Sequence, residues 1–290
     1  VSNVAHARGA LVSVIEGDAL LDAGFPTVHR VGRAGNRKPC FIEMNWGQEH
    51  HPHVVLIGKG VCFDTGGINL KNTAGMRYMK KDMGGAACAL ALAEMVMMSA
   101  LPVRLTLLIP AVENNVSANS MVPGDVVVTR SGLSVEITNT DAEGRLILCD
   151  ALAYACENEP DLIVDFATLT GAARVAMGPD VVPFYSNDDA VGQGLIDGAT
   201  AVDIPFWRMP LYAPYHDYLK SDVADMMNSA ETYFAGSITA ALYLQRFVTS
   251  GTKWAHFDVF AWNAMAKPGR PKGGEAELVR GVFEYLSANY

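Results

Sequence analysis

Two carboxylates and a guanidinium occupy every second position of the stretch Asn139–Arg145. If this stretch is extended, Asp141, Glu143 and Arg145 point to one side of the backbone, because strand side chains alternate with period two. Two neighbouring acids repel each other unless a cation lies between them, and arginine is a planar anion binder that keeps its proton. The spacing therefore indicates a metal site beside an anion pocket. A polar turn before a helix is the alternative, since acidic residues also favour helix N-termini, and this stretch alone leaves both interpretations open.

Further candidate side chains follow a segment that has the pattern of a buried strand. Residues 54–58 form an apolar, β-branched run, which is typical of a strand covered on both faces. A glycine-rich segment with Lys59 and Asp64 comes next, and then Lys71 and Asp82. Asp82 stands before a predicted helix of small residues, where an aspartate is most often an N-cap. The glycine-rich segment is not a phosphate loop, because GxxxxGK[ST] is absent.

These residues share a predicted location, because open α/β sheets bind ligands at the carboxyl ends of their strands. Several carboxylates together suit Mg, Mn or Zn, and shared ligands suit two ions a few ångströms apart. The candidate set is Lys59, Asp64, Lys71, Asp82, Asp141, Glu143 and Arg145.

Strand patterns alternate with helix patterns along most of the chain. This alternation predicts an α/β fold, a three-layer sandwich with a mixed, largely parallel central sheet covered by helices on both faces. We predict strands at residues 39–46, 54–58, 103–109, 125–129, 134–138, 161–167 and 254–260. We predict helices at residues 4–21, 83–98, 146–156, 235–249 and 277–286, and a packed loop at 205–218.

Composition narrows the class of protein. The chain has 290 residues, half of them hydrophobic, and a formal net charge of −9. A large core is therefore available, and the acidic balance argues against a nucleic-acid surface. No apolar run reaches the roughly 18 residues of a membrane span, so we expect a soluble, cytoplasmic protein.

The cysteines and histidines offer two other possible metal sites. The five cysteines are widely spaced and form no CxxC pair, so we expect reduced thiols, buried except for Cys40, and no disulfide framework. Three of the seven histidines lie at positions 50–53, around a proline. We interpret them as a loop cluster without a specific role, and a native metal site there is the minor alternative.

Residues 139–146, Asn-Thr-Asp-Ala-Glu-Gly-Arg-Leu, resemble the signature of the leucyl aminopeptidase family, the cytosol aminopeptidases. The segments 58–60, 63–67, 82–86 and 167–171, together with Lys71, resemble the other motif blocks of that family in the same order. The resemblance extends over residues 40–290. An eight-residue signature with supporting blocks in register is far more specific than a lone short motif.

The resemblance implies a role for each candidate. Lys59, Asp64, Asp82 and Glu143 would hold a tightly bound metal, and Asp64, Asp141 and Glu143 a second, more exchangeable one. As a ligand Lys59 must be a neutral amine, so the ions and burial must lower its pKa. Lys71 would stabilise the oxyanion, and Arg145 would hold a bicarbonate that acts as the general base. The implied substrate-binding residues are Lys71, Asp82, Met79, Thr168, Leu169 and Gly171.

The implied activity is that of a metalloexopeptidase with two divalent ions, Zn or Mn, with Mg as a further candidate. It would hydrolyse the N-terminal residue from peptides or dipeptides through a hydroxide that bridges the two metals. Residues 257–263 depart from the small-residue stretch of the leucine-preferring members, and the bulk of Phe260 leaves the side-chain preference open. Two alternatives are a catalytically weak relative with a binding or regulatory role, and a specialised dipeptidase such as a Cys-Gly hydrolase.

The resemblance also suggests a domain division and an assembly. We assign residues 1–40 to an N-terminal lead-in segment, the remnant of a missing N-terminal domain or the linker from it, and residues 41–290 to the two-metal peptidase catalytic domain. Because the chain begins with Val1, we expect a truncated or processed N-terminus. The resemblance implies a homo-hexamer built from two stacked trimers and a peptide substrate with a free N-terminus. We expect no membrane partner, and the acidic charge of this chain argues against a nucleic-acid partner.

Overall fold

The computed structural model describes residues 1–276 and 278–290. Its strands are β1 Leu11–Glu16, β2 Cys40–Trp46, β3 His53–Gly58, β4 Gly60–Asp64, β5 Arg104–Asn114, β6 Val126–Val128, β7 Ser134–Glu136, β8 Leu162–Ala167, β9 Val182–Ser186, β10 Phe206–Arg208, β11 Met226–Met227, β12 Trp254–Asp258, β13 Trp262–Asn263 and β14 Gly273–Gly274. Its α-helices are α1 Ser2–Arg8, α2 Ala19–Asp22, α3 Pro26–Gly32, α4 Thr73–Met76, α5 Gly84–Met98, α6 Glu143–Cys156, α7 Gly171–Met177, α8 Asp189–Ala201, α9 Gly236–Gln245 and α10 Leu278–Asn289. Two 3₁₀ helices cover Met79–Lys81 and Ala213–Leu219.

One large mixed sheet forms the centre of the molecule, with the strand order β1-β2-β5-β3-β8-β12-β9-β10 and β4 added beside β5. The central strands β5, β3, β8 and β12 run parallel to one another. Strands β1 and β2 are antiparallel additions at one side, and β9 runs antiparallel to β12 at the other. The fold class predicted from the sequence is confirmed. The parallel centre brings several strand ends to the same edge of the sheet.

Strand β3 shows why helices cover both faces of this sheet. All six of its residues are buried. Val54 and Leu56 pack into one hydrophobic cluster with α5, α8 and α10, whereas Val55 and Ile57 pack into a second cluster with α3, α6 and α9. Side chains alternate between the two faces of a strand, so an unbroken apolar run requires an apolar layer on each side.

The helix predicted at residues 4–21 is wrong. Helix α1 ends at Arg8 because Gly9 adopts a left-handed conformation with φ 68°, which glycine adopts without a steric penalty. Residues Leu11–Glu16 then form β1 at the edge of the large sheet, paired antiparallel with Cys40–Trp46. The strand pairing outweighs the weak helical pattern. The domain division at residue 40 stays a prediction.

Several other predicted helices and strands are present in the structure, and some elements of the structure were not predicted. The seven predicted strands all form, although β6, β7 and β12 are shorter than expected. The closing helix was predicted to begin at Glu277, which lies outside the described residues; α10 is described from Leu278 to Asn289. Strand β9 and helix α8 were not predicted, and the loop expected at 205–218 contains β10 and most of a 3₁₀ helix. In the described ranges, no helix has both the length and the apolar character needed to cross a membrane.

Two expectations about cysteine and histidine need correction. The five cysteines are free thiols, as predicted, but Cys62 is exposed because it lies in β4 where that strand borders solvent. His53 belongs to β3 rather than to a loop and is buried. Its Nε2 lies 3.0 Å from Thr106 Oγ1, and its Nδ1 lies 2.6 Å from an Arg104 nitrogen. His53 therefore has a structural role, unlike its neighbours His50, which is exposed, and His51, which is half-buried.

Candidate metal centre

The predicted ligands meet at the carboxyl edge of the central strands. Lys59 follows β3 directly, and Asp64 is the last residue of β4. Asp82 lies just before α5, and Glu143 is the first residue of α6. The ends of β3 and β4 and the starts of α5 and α6 lie close together at this edge, so the four side chains share one small region. We call Asp64, Asp82, Asp141 and Glu143 the carboxylate cluster.

Two glycines allow this close arrangement. A Cβ on Gly85, at the start of α5, would lie 2.1 Å from the Phe166 carbonyl oxygen. A Cβ on Gly144, at the start of α6, would lie 2.7 Å from Lys59 Cε. The missing side chains let α5 approach the end of β8 and let the Lys59 chain pass α6 toward the carboxylate cluster.

Each of two lysines forms ion pairs with two members of the carboxylate cluster. Lys59 Nζ lies 2.9 Å from Asp82 Oδ2 and 2.8 Å from Glu143 Oε1, and it donates a hydrogen bond of 3.0 Å to the Thr168 carbonyl. Lys71 Nζ lies 2.8 Å from Asp64 Oδ2 and 2.5 Å from Asp141 Oδ1. The lysines thus supply the positive charge that closely packed carboxylates require.

Several oxygens of the cluster have the character of metal ligands. Oxygens of Asp64, Asp141 and Glu143 lie within 4.8 Å of one another. Asp82 Oδ2, Asp141 Oδ1 and Glu143 Oε1 are buried, and none accepts a hydrogen bond of good geometry from any described residue, although a lysine lies within ion-pair distance of each. Buried oxygens normally accept hydrogen bonds. Divalent metals bind such oxygen sets, so the residues present fit metal ions.

Hydrogen bonds hold the remaining carboxylate oxygens in place. Asp64 Oδ1 accepts from the Gly66 backbone N–H at 2.8 Å and from Asn114 Nδ2 at 2.7 Å. Asp82 Oδ1 accepts from Thr168 Oγ1 at 2.7 Å. Such outer contacts fix the orientation of a ligand and leave its second oxygen available. The alternative that Asp82 caps α5 is not realised, since its carboxylate turns toward Lys59 and Thr168 instead.

The pKa directions reflect a site crowded with acids. Burial, together with the charge of Asp64, raises the pKa of Glu143 to about 8. Burial and Asp64 also raise the pKa of Asp141, although Lys71 opposes the shift. Burial opposes the charge of Lys59, but Asp82, Glu143 and Asp64 outweigh it and raise its pKa. The lowered Lys59 pKa expected from the sequence applies to a metal-loaded site, and a metal that bound there would have to displace the Lys59 proton.

Arg145 lies beside the carboxylate cluster, but its guanidinium contacts other groups. Its Nη1 donates to the Asn228 carbonyl at 2.6 Å, and its guanidinium lies 6.0 Å from the Tyr243 ring centre. Its Nε is buried and has no hydrogen-bond acceptor among the described residues. The extended geometry considered for 139–145 does not form, because Asp141 lies in a turn and Glu143–Arg145 begin α6. The predicted turn before a helix and the carboxylate cluster are therefore both realised.

A cleft of about 430 Å³ opens beside the carboxylate cluster. All six predicted substrate-binding residues line it: Lys71, Met79, Asp82, Thr168, Leu169 and Gly171. Glu143 and Arg145 are not among its lining residues. The lining also contains Lys59, Asp64, Lys81, Asp141, Arg174 and Phe260.

Sequence reasoning missed three residues that organise this site. Asn114 binds Asp64 and ends β5, so the same strand-end rule could have found it. Thr140 accepts the Asn69 N–H and donates to the Gly66 carbonyl, and it lies inside the signature stretch itself. Asn228 carries the carbonyl that binds Arg145, and its carboxamide donates to the Asn139 carbonyl at 2.7 Å. No sequence signal identified Asn228.

The fold and the site together define an α/β domain with a buried acidic cluster at the carboxyl edge of its sheet. The model of the cytosol aminopeptidase family, catalytic domain, matches residues 1–283, and the chain belongs to this family. A probable cytosol aminopeptidase of Chlorobium limicola is 41% identical over 281 residues, which are 96% of this chain and 56% of that protein. One of Aromatoleum aromaticum is 45% identical over 96% of this chain and 55% of that protein. The chain thus spans about half the length of these relatives.

Solved structures give the same result. The crystal structure of cytosol aminopeptidase from Coxiella burnetii has a TM-score of 0.97 and 55% identity, covering all of this chain and 63% of that one. The bottromycin maturation enzyme BotP in complex with Mn has a TM-score of 0.94 and 36% identity, covering 99% of this chain and 64% of that one. The family resemblance found at residues 139–146 is confirmed.

Proposed function

We propose that the chain is the catalytic part of a metal-dependent aminopeptidase that removes the N-terminal residue from peptides or dipeptides. One observation carries this proposal: the buried carboxylate oxygens that accept no well-formed hydrogen bond from the described residues lie beside a charged lysine at the wall of a substrate-sized cleft. Family membership and the manganese complex of BotP support it.

The proposed ligands for two ions, Zn or Mn, are Lys59, Asp64, Asp82, Asp141 and Glu143. When bound, such ions lower the pKa of water and polarise a peptide carbonyl. The protein's own contribution is to hold the ligands rigidly, through Asn114 on Asp64 and Thr168 on Asp82. A rigid ligand set needs little reorganisation during the reaction.

Lys71 is the proposed oxyanion-stabilising residue. Its ammonium is partly exposed, with 16% of its side chain accessible, and it lines the cleft. Burial opposes its charge, but Asp64, Glu143 and Asp141 raise its pKa, so it stays protonated. A fixed positive charge stabilises the negative charge that develops on a carbonyl oxygen under attack.

The acidic wall of the cleft accounts for the requirement for a free N-terminus. A substrate amine gains favourable contacts beside Asp82 and its neighbouring carboxylates, whereas a blocked amide does not. Arg145, whose buried Nε has no acceptor among the described residues, is the proposed site of a bicarbonate. Because arginine keeps its own proton, the general base would be this bound anion and not the Arg145 side chain.

The test is hydrolysis of an aminoacyl amide by the full-length, metal-loaded protein. Glu143→Ala should lower kcat/KM by more than about 100-fold, because even outer-shell changes lower metal affinity or activity by 10–100-fold. Glu231→Ala, at an exposed glutamate, is the matched control. An N-acetylated substrate should be left intact. Undiminished activity of Glu143→Ala would remove the metal assignment.

Two alternatives remain as test outcomes. A catalytically weak binding protein would hydrolyse no member of a substrate panel, whereas a specialised dipeptidase would cleave only dipeptides such as Cys-Gly. The full set of candidate ligands favours general aminopeptidase activity over both. The homo-hexamer and the cytoplasmic location stay predictions.

A further inference from the structure

Two cations in the cleft have no part in the proposed reaction. Lys81 and Arg174 approach the same aromatic ring: Lys81 Nζ lies 5.1 Å from the Phe260 ring centre, and the Arg174 guanidinium carbon lies 4.3 Å from it. All three residues line the cleft that contains the carboxylate cluster. They form a second charged feature in the cleft, opposite in sign to the four acids.

Lys81 is buried, and its ammonium forms no ion pair or hydrogen bond with any described residue. Only 8% of its surface is accessible. Its Nζ is not among the buried polar atoms that have no partner in the described chain, so the stem is buried while the ammonium opens into the cleft. The Phe260 ring supplies a cation–π contact, which is weaker than an ion pair. Lys81 therefore points into the cleft with capacity to bind an anion.

Asp82, whose charge acts on Lys81, pairs with Lys59, and the other acids near the two cations are also engaged. Asp258 accepts hydrogen bonds from the backbone N–H groups of Leu169 and Thr170 and from the hydroxyls of Thr170 and Ser237. Asp180, which lies near Arg174, pairs with Lys267. None of these carboxylates is free to neutralise Lys81 or Arg174, so the positive charge remains available to a ligand.

We propose that Lys81 and Arg174 bind a carboxylate of the substrate. The inference rests on the proposed function, because it places the substrate amine at the carboxylate cluster and a negatively charged group on the Phe260 side of the same cleft. Charge-assisted hydrogen bonds to arginine and lysine are the common mode of carboxylate binding. The carboxylate is either the side chain of an N-terminal Glu or Asp, or the C-terminus of a short peptide.

Paired substrates separate these two sources. Glu-p-nitroanilide and Gln-p-nitroanilide have nearly the same shape and differ in side-chain charge. The dipeptide Leu-Gly and its C-terminal amide differ only in terminal charge. The kcat/KM ratio within each pair is measured for the full-length manganese-loaded protein and for Lys81→Met and Arg174→Met. Lys80→Met is the control, since Lys80 lies over Trp262 instead.

We expect the charged-to-neutral ratio to fall about tenfold in one pair for both variants, mainly through KM, as for a lost charge-assisted hydrogen bond. A fall in the Glu/Gln ratio identifies the side chain, and a fall in the Leu-Gly ratio identifies the terminus. Unchanged ratios in both pairs, with neutral substrates still hydrolysed, overturn the inference and leave the proposed function intact.

If the protein hydrolyses none of these substrates, the proposed function fails, and binding decides the inference separately. Calorimetric titration with the dipeptides Glu-Gly and Gln-Gly-amide gives the affinity without turnover. Weaker binding of Glu-Gly by Lys81→Met and Arg174→Met than by Lys80→Met supports the inference. Equal binding by all three variants contradicts it.

Discussion

Gly85→Ala tests whether a close helix–strand contact positions the candidate ligands. The new methyl group would lie 2.1 Å from the Phe166 carbonyl oxygen and 2.7 Å from its carbonyl carbon. Both are backbone atoms of β8, so no side-chain rotation relieves the overlap. Ordinary contact begins at 3.4 Å, and the start of α5 must therefore move by about 1 Å, carrying Asp82 with it.

We expect Gly85→Ala to destabilise the protein, whereas an unhindered Gly→Ala substitution in a helix stabilises it. Overpacking of this kind costs about 1–3 kcal/mol of the free energy of unfolding, whereas Gly→Ala in an open helix stabilises by up to about 1 kcal/mol. A displacement of about 1 Å at an active site can lower activity by about 100-fold. Both quantities are measurable, by urea unfolding and by kcat/KM on an aminoacyl amide.

Gly274→Ala is the matched control, because a Cβ at that position would meet no described atom within 4 Å. It should leave stability and activity close to those of the unchanged protein. If Gly85→Ala proved as stable and as active as this control, the argument that a close approach of α5 to β8 sets the position of Asp82 would be refuted.

Two further predictions concern buried polar groups. Asn228→Ala removes the carboxamide that accepts the Thr138 N–H at 2.9 Å and donates to the Asn139 carbonyl. This variant should lower the free energy of unfolding by about 2–3 kcal/mol and reduce kcat/KM. Unchanged values of both would contradict the role given to Asn228. Burial raises the pKa of Asp150 to about 6, above the roughly 3.9 of an unfolded chain. The folded state then holds the extra proton between these values, so Asp150 contributes stability below about pH 4 that is lost as pH rises through about 6, by up to about 3 kcal/mol. Asp150→Asn should remove this part of the slope in urea unfolding across that pH range, and an identical slope would contradict it.

Much of the fold and of the ligand set could be predicted because both depend on local patterns. The unbroken apolar run in β3 requires cover on both faces, and this requirement fixes the layered architecture. Lys59 and Asp64 were found because they follow a strand pattern, and parallel strands bring such positions to one edge, whereas Asp82 was found as the acid before the next predicted helix. Glu143 was recognised from the spacing within its own stretch.

The remaining features depend on contacts between distant parts of the chain. Asn228 binds the Asn139 turn across 89 positions of sequence, and nothing in its neighbours signals that role. Strand β1 was mistaken for helix because its apolar positions fit either period, and its pairing with β2 decides the outcome. That Lys81 forms no ion pair with a described carboxylate is likewise a property of the folded cleft alone.

The central claim is that the carboxylate cluster with Lys59 holds metal ions, and anomalous diffraction from crystals of the manganese-loaded protein tests it most directly. Our account predicts two anomalous peaks, one among Lys59, Asp64, Asp82 and Glu143 and one among Asp64, Asp141 and Glu143. Both peaks should be lost or weakened in Glu143→Ala. Peaks elsewhere in the molecule, with Lys59 and Lys71 still paired to the carboxylates, would contradict the account.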